Sequence, residues 1–191
     1  MASKIVEKII EAATELFARQ GYFGTSTREV ALEADVTEPS IYRLFLNKEK
    51  LFGNCLTAVI AQLLAPEQFL MVLSGEEEEA GFPVLVAQAV RRWYSSLSAR
   101  SARLLMQAAL SDNKEWSRMA YDPIDKIIGI LARRLEKDMR VSRSTAAVAS
   151  RTLILALFQF KIARPMLTPS DGERDAVDKT IEQWLHGLSP S

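Results

Sequence analysis

Apolar residues recur every three or four positions through almost the whole chain, and no segment of useful length alternates with period two. That spacing draws stripes on helices and leaves nothing for a half-buried strand, so the sequence predicts an all-α fold. Ile5, Ile9, Ala13 and Leu16, with Val6, Ile10 and Phe17, make the first stripe, and Glu7, Lys8, Glu11 and Glu15 form its wet face. Gly21 follows the last periodic residue and is expected to supply a left-handed cap, with 21–27 as a loop. Ser26 and Glu29 have capping-box spacing for a second helix over 27–34 that turns Val30, Ala31 and Ala34 inward. Asp35-Val36-Thr37 ends it. Pro39, at a first helical position, opens a short third helix whose inward face is Ile41, Leu44 and Phe45. Asn47 caps a fourth helix over 48–64, with Leu51, Phe52, Cys55, Leu56, Val59, Ile60 and Leu63 inward. That helix is roughly 25 Å long and can connect two domains.

Pro66 interrupts the fourth helix, and the acidic run at 76–79 between Gly75 and Gly81 reads as a solvated loop, not a metal site. Helical patterns resume over 83–97, 100–110, 115–140 with Pro123 as a kink or break, 144–163 closed by Pro165, and 171–188. The 24 basic and 24 acidic residues balance to zero net charge, and the 8 glycines and 7 prolines are too few for a disordered or collagen-like chain. A single cysteine, Cys55, excludes an internal disulfide framework and offers no zinc-ligand spacing. No apolar run approaches the ~18 residues of a membrane span, and residues 1–8 lack the apolar stretch of a signal peptide. A soluble, cytoplasmic protein without cofactor or metal is the expectation.

Three short helices with a tight turn between the second and third make a helix-turn-helix candidate over 27–45. A recognition helix must stand proud of its core so that one face enters a major groove. In the third helix that leaves Glu38, Pro39, Ser40, Tyr42 and Arg43 outward or at the amino-terminal tip, side chains able to reach base edges, thymine methyls or phosphates.

The amphipathic first helix ending Leu16-Phe17-Ala18-Arg19-Gln20-Gly21, the stretch Thr25-Ser26-Thr27-Arg28-Glu29-Val30-Ala31, then Ile41-Tyr42 with Phe45, and Lys48 with Leu51 together resemble the tetracycline-repressor (TetR) family of bacterial regulators over about residues 5–63. The resemblance implies phosphate contacts for Ser26 and Thr27, a base or phosphate contact for Arg28, and Glu38, Pro39, Ser40 and Tyr42 lying along the groove. It implies further that Arg43 pairs with phosphate or a base, and that Lys48 clamps the backbone beside the helix-four N–H groups. Two positions depart from the family pattern. The turn residue, usually Gly, is Asp35, which predicts some strain; the residue before Phe45, often His, is Leu44, which removes a polar contact. Residues 1–50 hold seven Lys/Arg and eight Asp/Glu, not the usual basic footprint of a DNA binder, but the positive residues gather at the proposed DNA face.

The division expected from this pattern is a helix-turn-helix domain over 1–47 and a helical effector-binding and dimerisation domain over 48–191, with 48–64 as connector. The helix over 144–163 is apolar nearly all round, which calls for burial on more than one side. With the last helix it is expected to form a two-fold four-helix interface through Val148, Thr152, Leu155, Ala156, Ile181, Trp184 and Leu185. The resemblance implies an effector pocket, for which the adaptable side chains Trp93, Tyr94, Met106, Gln107, Trp116, Met119, Tyr121 and Phe158 are the candidates.

The function so read is a dimeric, ligand-responsive regulator, a repressor of a palindromic operator released by a small, largely apolar effector. An activator or a ligand-independent regulator would use the same fold. An all-α enzyme is the reading from another class, but no nucleophile stands beside a base, and His186 is the one histidine.

Overall fold

A computed structural model describes residues 2–64, 82–167 and 173–188, and every element among them is an α-helix. These are α1 (Ala2–Gly24), α2 (Thr27–Glu33), α3 (Glu38–Phe45), α4 (Lys48–Leu64), α5 (Phe82–Ser96), α6 (Ala99–Ala109), α7 (Lys114–Asp138), α8 (Arg143–Leu167) and α9 (Glu173–Leu188). The expected break at Pro66 and the acidic run at 76–79 lie outside the described residues.

The helices group into two compact units. The first comprises residues 1–62 and 99–122, and the second 63–98 and 123–191. The unit carrying the helix-turn-helix therefore continues past residue 47 along most of α4 and takes in α6 and the first turns of α7. Helix α7 passes from one unit to the other at Pro123. It is not broken there, because a proline removes one backbone hydrogen bond and the rest of the ladder can continue around it. Helix α8 likewise runs on to Leu167 instead of closing at Pro165.

In the first unit α1 packs along α6, and Ile9, Ala13, Leu16 and Phe17 meet a core shared with Val30, Ala31, Ile41, Phe45, Leu51, Phe52, Leu56, Leu104 and Leu105. Each such Val, Leu, Ile or Phe side chain removed from water contributes about 1.5–3 kcal/mol before the entropy of ordering it is subtracted. Two inward assignments are corrected. Ile5 is exposed near the start of α1, and Leu44 is exposed because a helix of only eight residues buries a stripe just wide enough for Ile41 and Phe45. Arg100 of α6 lies 3.8 Å from Glu11 and 3.7 Å from Glu15, binding the wet face of α1 to α6.

Gly21 also behaves differently from a left-handed cap. Its φ of 79° and ψ of 169° bend α1 without ending it, so residues 22–24 resume helical geometry and the loop begins only at Thr25. The Thr25 hydroxyl donates to the Gly21 carbonyl (2.8 Å), satisfying an acceptor that the bend frees.

In the second unit α9 packs on α5 and α8. Trp93, Val86, Val90, Leu131, Leu135, Ile154, Leu157, Phe158, Val177 and Ile181 are buried there, with an ion pair between Arg91 and Asp178 at its margin. Residues 143–162 of α8 have a mean hydropathy of 1.3, apolar and long enough to cross a membrane, although only 33% of that window is buried within the chain. Its longest uninterrupted apolar run is only residues 153–158, bounded by Thr152 and Gln159.

Candidate nucleic-acid interface

Helix α2 starts on the expected capping box. The Ser26 hydroxyl accepts from the Glu29 N–H (3.1 Å) and donates to the Glu29 carboxylate (2.8 Å), which also accepts from the Ser26 N–H (2.8 Å). These bonds hold the Glu29 carboxyl below its ordinary range, the backbone N–H of Ser26 contributing most. The far end of α2 closes in a Schellman arrangement. Val36 N–H donates to Ala31 C=O (2.9 Å) and Asp35 N–H to Leu32 C=O (3.1 Å), with Asp35 at φ 50° where glycine is the usual residue. An exposed Lys8–Asp35 pair at 3.4 Å ties this turn to α1.

Helix α3 begins at Glu38, so Pro39 occupies its second position, where the missing N–H is still one the first turn leaves unbonded. Three side chains then lock α3 to α2. The Thr27 hydroxyl donates to Glu38 (2.6 Å) and lies 3.1 Å from the Tyr42 hydroxyl. A hydroxyl has one hydrogen, so with that of Thr27 committed to Glu38, Tyr42 donates to Thr27. Thr27 is buried, whereas the Tyr42 side chain remains 47% exposed and Arg28 and Arg43 project into solvent. Ser40 pairs with Thr37 at 2.8 Å.

The link from α3 to α4 is a γ-turn. Leu46 takes φ 68° and ψ −48°, and Asn47 N–H donates to Phe45 C=O at 2.8 Å. Asn47 then caps α4 as expected, its side-chain oxygen accepting from Lys50 N–H at 2.8 Å. The result places Lys48 in the first turn of α4, directly after the recognition-helix candidate. Its ammonium stands 4.3 Å from the centre of the Tyr22 ring. Burial draws that ammonium below its usual range, against the opposing effect of Glu29. Nothing in the local sequence signals the strained turn at Leu46, and Tyr22 lay in a stretch expected to be loop. Both follow from tertiary contacts that periodicity does not encode.

The structure gathers Thr27, Glu38 and Tyr42 into one hydrogen-bonded group, with Ser26, Arg28, Pro39, Ser40, Arg43 and Lys48 on the adjoining α2, α3 and α4. The Ser26 hydrogen is already given to Glu29, so a phosphate contact there would use an exchanged bond. Among the effector candidates, Trp116, Met106, Gln107, Met119 and Tyr121 belong to the first unit, and Trp93, Tyr94 and Phe158 to the second. Trp116 lies 4.4 Å from Phe52 and 4.7 Å from Tyr22 between ring centres, Trp93 stacks edge-on to Phe158, and Tyr94 carries Lys161 over its ring. Tyr121 is exposed, and a cleft of about 340 Å³ in the first unit, bordered by Glu7, Thr14, Gln62 and Arg100, touches none of those candidates.

Of the interface candidates, Val148 and Leu155 are exposed, at 67% and 52%, with Thr152 between them, while Ala156, Trp184 and Leu185 are half-buried. Trp184 donates to the Ala149 carbonyl at 2.8 Å. Ile181 is fully buried within the chain, where the stripe of α9 faces α5 and α8.

Residues 9–55 match the family model for bacterial regulatory proteins of the tetR family. A 45-residue stretch is 42% identical to the uncharacterized HTH-type transcriptional regulator YvkB of Bacillus subtilis (strain 168), covering 24% of each chain. The matched stretch thus spans about a quarter of that relative. The fold is similar to that of native NalD, the secondary repressor of the MexAB-OprM multidrug efflux pump in Pseudomonas aeruginosa, at 26% identity over 100% of both chains with a TM-score of 0.72. A TetR-family transcriptional regulator from Bordetella parapertussis 12822 shares the fold at a TM-score of 0.73 and 23% identity, covering 95% of this chain and 94% of that one.

Proposed function

We propose that the chain is a regulator of the tetR family, on the match of residues 9–55 to that family's model, and that it acts as a cytoplasmic repressor that binds a palindromic operator as a homodimer and is released by a small, largely apolar effector. The observation that carries the DNA reading is the junction of α3 and α4. Tyr42 and Arg43 stand exposed on α3, and the Leu46 γ-turn sets Lys48 at the amino end of α4 directly after that helix. Base-reading side chains and a phosphate clamp are thereby held on one rigid corner. The dimer reading rests on the exposed Val148–Thr152–Leu155 stripe of so apolar a helix. Repression is carried over from NalD, itself a secondary repressor.

Salt-titrated gel shifts on selected and unselected duplex pools test the reading. Lys48→Ala weakens binding to both pools and lowers the salt slope by about one unit. Tyr42→Ala mainly damages binding to the selected pool. Unchanged affinity for both variants overturns the assignment.

A further inference from the structure

We propose that Tyr22 is a positioning residue for the Lys48 ammonium, and that the start of α7, through Asn113 and Trp116, is part of the DNA-binding apparatus. The proposal rests on the DNA-binding reading above and extends it to residues far outside the helix-turn-helix.

The Gly21 bend delivers the Tyr22 ring to a cluster of aromatic side chains. Phe52 lies 5.4 Å and Trp116 4.7 Å from it, both edge-on, and Phe17 lies 6.0 Å away in a stacked arrangement. Those neighbours pack against the ring, which presents a face to Lys48 Nζ at 4.3 Å. A ring face attracts an ammonium without consuming its N–H donors in conventional hydrogen bonds. Lys48 is therefore held at the amino end of α4 with donors available for a phosphate. A free lysine would have to surrender its rotamer freedom on binding; this one has already done so.

Asn113 does two things at once. Its side-chain oxygen accepts from the Glu115 and Trp116 N–H groups (3.0 and 3.2 Å), which starts α7 and sets the Trp116 indole against Phe52 and Tyr22. Its amide nitrogen donates to the Glu49 carboxylate at 3.1 Å. Glu49 adjoins Lys48 in sequence and its charge acts on Tyr22, while Glu29 is the carboxylate that acts on the Lys48 ammonium. Asn113 holds the Glu49 carboxylate toward α7. One capping residue thus supports the ring that holds the cation and restrains the neighbouring anion.

The experiment is a double-mutant cycle on the full chain, using fluorescence anisotropy on a random-sequence duplex about three helical turns long, since a backbone contact needs no operator. Tyr22→Leu is expected to weaken binding about two- to fivefold, and Tyr22→Phe, which keeps the ring face, to restore most of that loss. In a Lys48→Met background Tyr22→Leu is expected to change nothing further. Equal losses in both backgrounds would make Tyr22 a packing residue alone and overturn the proposal. Tighter binding by Tyr22→Leu would mean that the ring sequesters the ammonium, and would overturn it as well. A wild-type chain that shows no salt-dependent binding to the duplex would bring down the DNA reading itself, and this inference with it. A second measurement does not depend on the leucine variant folding. In the wild-type protein the ring current of Tyr22 should move the Lys48 ε-methylene proton resonances upfield of those of Lys50, and coincident shifts would overturn the proposal.

Discussion

Asp35 occupies a left-handed position that a side chain enters only at a cost, and its φ of 50° shows that the tight turn is made there without glycine. Aspartate bears that conformation better than most residues, and the Lys8 partner is too exposed to contribute much. Asp35→Gly should therefore stabilise the first unit by up to about 1 kcal/mol, the relief of strain exceeding the added freedom of the unfolded chain. A urea midpoint that falls or stays unchanged would show that the turn is unstrained. Cys55 makes a different statement. Burial pushes its thiol up to about 12 from an ordinary 9.0, with the Thr14 hydrogen bond opposing weakly. The folded chain therefore keeps a proton that the unfolded chain releases between those two values. The sign is unambiguous: no effect below about pH 9, then a loss of stability with rising pH of up to about 1.4 kcal/mol per pH unit. Because lysines and tyrosines titrate in the same range, the measurement is the difference in slope between wild type and Cys55→Ala. Identical slopes would place the thiol in contact with water.

Helix α3 is too short to hold itself in place, and the Thr27–Glu38–Tyr42 group gives it a fixed orientation against α2. Thr27→Val keeps the volume and removes the shared hydroxyl. Glu38 and Tyr42 reach solvent, so water replaces much of the lost bonding and the stability cost should be only about 1 kcal/mol. The Tyr42 ring, however, loses the partner that orients it. Binding to selected duplexes should fall more than binding to unselected ones, and an unchanged ratio between the two pools would show that the group is only a structural fastener. This level of organisation is half-legible in a sequence. Capping residues such as Ser26 and Asn47 announce themselves because their chemistry is local, whereas Leu46 at φ 68° and the side-chain bond from Thr27 to Glu38 depend on where two helices meet. Leu44 shows the same limit from the other side. Periodicity put it on the inward face, but only contact with a neighbouring element decides how wide that face is.

At the scale of the molecule, the helices and the family likeness could be read from the sequence, but the grouping of helices could not. Residues 99–122 join the first unit through long-range contacts, Arg100 with Glu11 and Glu15 and Trp116 with Tyr22 and Phe52, and nothing in their own pattern says which helices they will meet. The same holds for α8. Its composition announced burial on several sides, yet only the structure separates Leu153, Ile154 and Leu157, which are buried in the second unit, from Val148 and Leu155, which are not. Phe158 falls on the buried side, so charging it would test folding, whereas charging Leu155 tests assembly. Leu155→Glu places a carboxylate on a surface that tolerates it in a monomer, but closing a two-fold interface over it would cost several kcal/mol. Analytical ultracentrifugation should then show a folded monomer with an unchanged helical circular dichroism spectrum. Each protomer of the proposed dimer neutralises its own set of phosphates in major grooves ~34 Å apart, so the salt slope of DNA binding should fall by about half with assembly lost. A variant that stays dimeric would move the interface off this stripe. A monomer that keeps the full slope would mean that one protomer makes all the DNA contacts, and the palindromic operator would have to be given up.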